Sequence, residues 1–117
     1  MEISDSGKYD ANDAIGAVFT ALADPSRRRI VERLRQGDET VSELAAELGL
    51  GTPSVSKHLT VLERAGLVSR HNEAQWRRCR LEGVAFERLQ RWIDHYADLW
   101  SGSLGRLDEH LRGKGQP

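Results

Sequence analysis

The sequence has little of what builds disulfide-stabilised, membrane-spanning or secreted proteins. A single cysteine, Cys79, excludes an intramolecular disulfide and fits a reducing compartment. No apolar run approaches the roughly 20 residues that a membrane helix needs. No basic segment followed by an apolar one opens the chain, so we expect no signal peptide. These absences predict a cytoplasmic protein whose length suits one domain.

The sequence also lacks a marked net charge, since its formal value is −1. By itself this value argues for no nucleic-acid partner, but the charges are unevenly distributed. Residues 51–80 hold six lysines and arginines against two acids, whereas residues 1–23 hold one lysine against four acids. A local basic region in a nearly neutral protein is typical of a DNA-binding module.

A short helix over residues 52–65 is the best-defined element in the sequence. Thr52 is expected to be its N-cap, because its hydroxyl can accept a hydrogen bond from a free N–H of the first turn. Pro53 is expected at the first helical position, where its missing N–H has no cost. Gly66 can adopt the left-handed conformation that commonly ends a helix.

The two faces of this helix differ in chemistry. An apolar stripe at helical spacing predicts the buried side: Val55, Leu59 and Leu62. The opposite side is small, polar and cationic: Ser54, Ser56, Lys57, Thr60 and Arg64. Its hydroxyls suit base edges or phosphates in a DNA major groove, and its cations suit phosphate. An ordinary amphipathic surface helix has the same pattern, so the flanking sequence must decide.

Three further helices are predicted upstream. The first covers residues 11–23 and has apolar residues at helical spacing: Ile15, Val18, Phe19 and Leu22. The second begins after Asp24 as cap, with Pro25 at its first position, and ends at Gly37. Its arginine run at residues 27–29 is expected on a solvated face. The third covers residues 42–48.

A tight glycine-containing turn, residues 49–51, joins the third helix to the helix at 52–65. This arrangement predicts a helix-turn-helix whose second helix is placed for the major groove.

After Gly66 the pattern becomes extended, and residues 67–81 predict a two-stranded ribbon that turns at 73–75. Alternation places Cys79 and Leu81 toward the core, on the same face as Arg77. Arg78 and Arg80 then point outward beside the recognition helix. A basic ribbon directly after a helix-turn-helix is a wing, and its candidate DNA contacts are Arg77, Arg78 and Arg80.

A last helix is predicted over residues 84–111, where Gly102 and Gly105 can introduce a kink or a break. Its apolar stripe is too wide and too aromatic for the surface of a small monomer. The first and last helices are therefore expected to form a dimerisation layer. The expected interface residues are Ile15, Phe19, Leu22, Trp92, Tyr96, Trp100 and Leu104.

Three segments together resemble the ArsR/SmtB family of bacterial winged-helix repressors: A23-D-P-S-R-R-R-I-V-E-R-L34, V41-S-E-L-A-A-E-L-G49 and P53-S-V-S-K-H-L-T-V-L-E-R-A-G-L-V68. The resemblance covers roughly residues 12–111. It implies a mainly α fold with a small β-wing, a dimeric winged helix-turn-helix in the order α-α-α-α-β-β-α. It also implies a homodimer that binds a palindromic operator in double-stranded DNA and usually represses transcription.

The resemblance further implies that the exposed side of residues 52–64 enters the major groove. The positions that match DNA-contacting ones in the family are Thr52, Ser54, Ser56, Lys57 and Thr60. His58 matches a histidine of the family, but its position near the core margin favours a structural role.

The sequence departs from the family pattern at the wing tip and at the metal sites. The tip lacks the usual glycine. E43-L-A-A-E47 stands where metal sensors of the family have Cys-Val-Cys, so a thiolate site is absent there. Asp108 and His110, or His95 and Asp98, each match only part of the C-terminal metal site of the family. We therefore predict no metal site and no cofactor.

The leading hypothesis is a homodimeric DNA-binding repressor, with loose tails at 1–10 and 113–117 around a domain at 11–112. One alternative is a winged-helix module that binds protein through the aromatic last helix. Another is a metal-responsive repressor with a non-standard site on that helix. An enzyme is disfavoured, because no motif joins a nucleophile, a base and an orienting acid.

Overall fold

The computed structural model describes residues 11–100, with side chains from residue 13 onward. The elements in chain order are α1 (Ala11–Leu22), α2 (Pro25–Arg35), β1 (Glu39–Thr40), α3 (Val41–Leu48), α4 (Thr52–Arg64), β2 (Val68–Glu73), β3 (Trp76–Leu81) and α5 (Val84–His95). The predicted tails, the interface residue Leu104, the glycines 102 and 105, and the partial metal motif at 108–110 lie outside the described residues.

The predicted mainly α fold with a β-wing is confirmed, and the structure adds the strand β1. The antiparallel sheet has the order β1-β3-β2, with Glu39 opposite Cys79 and Thr40 opposite Arg78. Two residues are too few to show the alternation by which a strand is recognised in a sequence. The strand β1 joins the loop before α3 to the wing.

The start of α2 is as predicted. Asp24 is its N-cap, and its carboxylate accepts hydrogen bonds from the N–H groups of Arg27 and Ser26 at 3.2 and 2.8 Å. The bond from the Arg27 N–H is the main reason why the pKa of Asp24 is lower than usual.

The arginine run on α2 was expected on a solvated face, and Arg28 and Arg29 are exposed, but all three arginines also bond to backbone carbonyls. Arg27 donates from Nε to the carbonyl of Ala21 at 2.7 Å, and Arg28 donates from Nη1 to that of Leu22 at 2.7 Å. Arg29 donates from Nη2 to the carbonyl of Leu48 at 3.3 Å. The last carbonyls of a helix have no partner within it, so these side chains satisfy the C-terminal ends of α1 and α3.

The helix α3 begins at Val41, one residue earlier than predicted. Thr40 is its N-cap: its hydroxyl accepts from the Glu43 N–H at 3.1 Å, and the Glu43 carboxylate accepts from the Thr40 N–H at 2.8 Å. This reciprocal pair satisfies two free donors of the first turn. Gly49 ends α3 in the left-handed conformation, with φ of +69°.

The predicted cap of α4 is wrong by one residue. Gly51 is the N-cap and makes no side-chain hydrogen bond, Thr52 is the first helical residue and Pro53 the second. The first bond of the helix runs from the Val55 N–H to the Gly51 carbonyl at 3.1 Å, which places Thr52 inside the helix. Gly66 has φ of +80°, as expected for the residue that reverses the chain after α4.

Side chains from α1 through α5 and from the sheet share one core. Its buried members are Val18, Ala21, Ile30, Leu34, Leu44, Ala45, Leu48, Val55, Leu59, Leu62, Ala65, Leu67, Val68, Cys79 and Ala85. The predicted stripe of α4 is fully buried within it. Because this stripe anchors α4, the opposite face of that helix is held toward solvent. Within residues 11–100, no helix has the length and apolarity needed to cross a membrane.

The last helix was predicted over residues 84–111, with a kink or a break allowed at Gly102 and Gly105, but the structure interrupts it earlier, at Tyr96. The helix α5 ends at His95, and Tyr96 leaves the helical region with φ of −109° and ψ of 11°. The Tyr96 N–H bonds to the Ile93 carbonyl at 3.0 Å, three residues back, so the regular ladder is interrupted. Helical structure resumes at residues 97–100. The apolar spacing continues across this break and therefore does not reveal it.

The wing turns through the two residues 74 and 75, and Ala74 has φ of +57°. We expect Ala74→Gly to raise the free energy of unfolding by about 0.5–1 kcal/mol. The left-handed conformation costs an L-residue roughly 1–2 kcal/mol, and the greater freedom of glycine in the unfolded chain cancels part of that gain. Urea unfolding at a fixed protein concentration measures the change.

The matched control is Ala46→Gly, at an exposed position inside α3. The same substitution should there lower the free energy of unfolding by about 1 kcal/mol. A loss of stability in both variants would contradict strain at the wing tip.

Candidate nucleic-acid interface

The helix-turn-helix consists of α3, the turn at residues 49–51 and α4. The Leu50 N–H bonds to the Ala45 carbonyl at 3.1 Å and fixes the turn against α3. On α4, Thr52, Ser54, Lys57 and Arg64 are exposed, whereas Ser56 and Thr60 are half-buried. The structure thus brings the predicted polar residues to the outer side of α4, but two of them lie at its edge.

Lys57 and Arg64 make no ion pair or hydrogen bond with any residue between 11 and 100. Lys57 lies near the middle of α4. Arg64 lies in the last turn and borders a cleft of about 410 Å³ that α4 forms with Asp13, Gly16 and Thr20 of α1. The exposed side of α4 therefore carries two cations, one near its middle and one in its last turn, that no residue between 11 and 100 neutralises.

The edge of α4 that carries Ser56 and Thr60 faces the wing. Arg70 of β2 donates from Nη2 to the Ser56 carbonyl at 3.0 Å and lies 3.3 Å from the Thr60 hydroxyl. Sequence reasoning missed Arg70 as a site residue. Alternation along β2 contains the signal, since Arg70 has the same parity as the buried Val68 and pairs with Cys79.

The wing arginines Arg78 and Arg80 do not lie beside α4 as expected. Arg78 lies 3.0 Å from Glu73 and 3.9 Å from Glu43 at the start of α3, and Arg80 lies 3.1 Å from Asp38 before β1. The register of β1 against β3 brings Asp38 and Glu43, which flank β1, to the outer face of the wing. Asp38 and Glu43 lie outside residues 51–80, so the local basic excess is smaller than the sequence suggested.

Arg77 lies on the opposite face of β3 from Arg78 and is exposed, opposite Asn72 near the tip. It makes no ion pair with a residue in the described part of the chain. Arg77 is therefore the wing cation whose charge remains available.

His58 is half-buried, as its position near the core margin predicted. Its Nδ1 lies 3.4 Å from Nη1 of Arg27. This contact joins α4 to α2 and fits the structural role expected for His58.

Among residues 11–100, no three histidine, cysteine, aspartate or glutamate side chains form a group that could hold a metal ion. Cys79 is buried, and burial raises the pKa of its thiol. Among the described residues, burial therefore disfavours the thiolate form of Cys79, and no cluster of side chains is arranged to bind a metal ion.

A second surface lies on α1, on α5 and at residues 96–100 that follow α5. The rings of Phe19 and Trp92 meet edge to face with centroids 5.1 Å apart, and Tyr96 lies 5.0 Å from Trp92. Phe19, Trp92, Tyr96 and Trp100 remain 39–41% exposed, while Ile15 and Leu22 are half-buried. The chain thus presents an aromatic surface of the kind that usually marks an interface.

The chain is similar in sequence and in structure to known proteins. A family model described as "Bacterial regulatory protein, arsR family" matches residues 24–70, which run from the cap of α2 into the wing. The transcriptional repressor SdpR of Bacillus subtilis is 33% identical over 87 residues, which are 74% of this chain and 97% of SdpR.

Solved structures of similar proteins have the same fold. An ArsR-like transcriptional regulator from Rhodococcus sp. RHA1 aligns with a TM-score of 0.71 and 26% identity, over 84% of this chain and 92% of that one. The solution structure of Mb0332 from Mycobacterium bovis, a homodimeric winged helix-turn-helix DNA-binding domain, aligns with a TM-score of 0.64 and 30% identity. It covers 78% of this chain and 84% of that one.

Proposed function

The chain belongs to the arsR family of bacterial regulatory proteins, and from this premise we propose that it represses transcription as a homodimer bound to an operator in double-stranded DNA. The observation that carries the proposal is the exposed side of α4, which the buried stripe of that helix anchors in a helix-turn-helix. In this motif the second helix reads the major groove.

We assign the operator contacts of α4 to its exposed side. Lys57 and Arg64 have no ion-pair partner among residues 11–100 and suit phosphates. The hydroxyls of Thr52, Ser54 and Ser56 suit base edges or phosphates. Thr60 was also a candidate contact, but its hydroxyl already donates to the Ser56 carbonyl at 3.1 Å.

The dimer is proposed to form through α1 and α5. A palindromic operator needs two recognition helices about one DNA turn apart, roughly 34 Å, and one copy of this chain supplies a single such helix. The proposed contacts lie on α1, on α5 and at residues 96–100, and none lies on α4, so a second copy that packs on them need not occupy the exposed side of α4. Ile15, Phe19, Leu22, Trp92, Tyr96 and Trp100 remain the proposed contacts in the described range.

Selection of bound duplexes from a random pool, followed by footprinting, tests the function. We expect an inverted repeat whose half-site centres lie roughly 10 base pairs, or a multiple of that, apart. Recovery of unrelated sequences, with a footprint lacking two-fold symmetry, would contradict the proposed operator binding.

The wing offers a prediction that separates free from paired arginines. Arg77→Ala should weaken binding to every duplex and lower the log–log salt slope by roughly 0.9 for each phosphate contact that is lost. Arg80→Ala should have a smaller effect, because Asp38 already compensates that charge at 3.1 Å. Arg78→Ala should resemble Arg80→Ala, since Glu73 lies 3.0 Å away. Titrations of operator and random duplex at several salt concentrations measure these effects.

The outer face of β3 would be the DNA-facing one if Arg80→Ala reduced the slope more than Arg77→Ala. A loss of discrimination between operator and random duplex, at unchanged non-specific affinity, would contradict a phosphate-contacting role for the wing.

A further inference from the structure

The wing strand β2 carries one cation toward the interior. Arg70 lies opposite Cys79, on the inner face of the sheet, and its side chain is only 14% exposed. The other wing arginines are at least 31% exposed where their ion pairs are described. Burial of a guanidinium is costly unless its donors have partners. The contacts of Arg70 therefore indicate what its position stabilises.

All described partners of the Arg70 guanidinium lie on α4. Nη2 donates to the Ser56 carbonyl at 3.0 Å and to Oγ1 of Thr60 at 3.3 Å. Nε lies 3.6 Å from Oε1 of Glu63, an ion pair without a hydrogen bond, and has no hydrogen-bond partner among the described residues. These partners extend over two turns, from the middle of the recognition helix to its last turn. One side chain thus connects the wing to the part of α4 that carries the candidate DNA contacts.

The Thr60 hydroxyl, the Ser56 carbonyl and the Arg70 guanidinium each contact the other two. The hydroxyl donates to the Ser56 carbonyl at 3.1 Å and so can accept from Arg70. A hydroxyl has one donor and two acceptor sites, so both contacts are compatible. This arrangement leaves the Thr60 hydroxyl no second proton to donate to a base. Thr60 then supports Arg70, a role that differs from the direct DNA contact expected at this position.

We infer that Arg70 is a positioning residue that fixes the wing against α4 and thereby sets how well the protein distinguishes its operator from other DNA. The inference rests on the proposed operator binding. Base contacts depend on the placement of α4 in the groove, whereas phosphate contacts supply non-specific affinity. A loosened connection between wing and α4 should therefore weaken binding to the operator far more than binding to random duplex.

The test uses Arg70→Met, which keeps most of the side-chain length, in the full chain. The operator is the duplex that the wild-type protein selects from a random pool. We expect the ratio of operator affinity to random-duplex affinity to fall roughly tenfold or more, within the range lost with one good base contact. The salt slope should not change, because a buried Arg70 contacts no phosphate. Arg28→Met is the matched control, since Arg28 donates to the Leu22 carbonyl away from α4, and it should keep the ratio.

Single substitutions of Thr60 test the same connection through the same affinity ratio, and they do not depend on the folding of Arg70→Met. Thr60→Ser keeps the hydroxyl and should keep the ratio, whereas Thr60→Val removes the hydroxyl and should lower it. The double variant Thr60→Val/Arg70→Met should lose little more than Arg70→Met alone, because both changes remove the same connection. Circular dichroism and thermal unfolding establish that each variant is folded.

Several results would overturn the inference. If Arg70→Met lowered the log–log salt slope by roughly 0.9 or more and reduced the affinity for operator and random duplex equally, Arg70 would be a phosphate contact. Additive losses in the double variant would give Thr60 its own DNA contact. An unchanged ratio in Arg70→Met, or in Thr60→Val where Arg70→Met is unfolded, would remove the positioning role. Failure of the wild-type protein to select any sequence would instead contradict the proposed function itself.

Discussion

Trp100→Glu is expected to convert the dimer to a monomer and to lower operator affinity by roughly 100- to 10,000-fold, the range by which two linked binding events exceed one. No residue on the exposed side of α4, the proposed DNA-contacting side, changes in this variant. The loss arises because a monomer presents one recognition helix, which reaches only one half of a two-fold operator. The free energy of dimerisation and the free energy of operator binding are thus coupled through one surface.

The aromatic surface on α1 and α5 supports this expectation. Trp100 is 39% exposed in a single copy, although a tryptophan side chain gains most when it is fully buried. Large aromatic residues near the centre of an interface commonly dominate its binding energy. A carboxylate at that position would lose its hydration on association without gaining a partner, which is costly.

Light scattering at several protein concentrations, together with operator titration, measures both effects. Trp76→Glu is the matched control, because Trp76 is a 54% exposed tryptophan at the wing tip, away from α1 and α5. This control should remain dimeric. A wild-type monomer at tens of micromolar, or a dimeric Trp100→Glu protein with full operator affinity, would place the interface elsewhere.

The order of the helices and the buried side of α4 could be predicted from the sequence, because both follow from local rules. Helical spacing alone identifies the stripe Val55, Leu59 and Leu62, and all three residues are fully buried. Asp24 followed by Pro25 marks a helix start that the structure confirms. Such features depend on residues a few positions apart, so the sequence contains the whole signal.

What the sequence could not predict depends on pairing between distant segments. Asp38 meets Arg80, 42 residues away, only because β1 joins the sheet beside β3. Arg70 reaches α4 only because β2 follows that helix at a particular angle. The charge of the wing was overestimated for this reason, since Asp38 and Glu43, which compensate part of it, lie outside the basic segment.

The break at Tyr96 is a different kind of miss. Neither glycine nor proline lies at this position, and the apolar residues keep their spacing on both sides. Tyr96 packs against Trp92 with ring centroids 5.0 Å apart, and His95 lies 4.9 Å from Tyr96. These ring contacts accompany the interruption of the helix at Tyr96, and the spacing of apolar residues in the sequence does not indicate them.

Lys57→Ala is the second large expected effect. Lys57 is exposed near the middle of α4, and within residues 11–100 no acid neutralises it. A homodimer carries two copies, so the substitution should remove two phosphate contacts and lower the log–log salt slope by roughly 1.8. At 0.1 M salt this difference corresponds to a roughly 60-fold loss of operator affinity, if the two proteins bind equally near 1 M salt. Stability should not change, because Lys57 lies off the buried stripe of α4.

Arg35→Ala provides the control for loss of a cation as such. Arg35 lies in the last turn of α2, 74% exposed and 3.8 Å from Glu32, away from α4. Its removal should leave both the operator affinity and the salt slope at their wild-type values. If Lys57→Ala behaved like Arg35→Ala, the exposed side of α4 would not be the DNA-binding face. If operator affinity fell at an unchanged slope, Lys57 would contact a base edge and not a phosphate, because only the release of counterions from phosphates makes affinity depend on salt in this way.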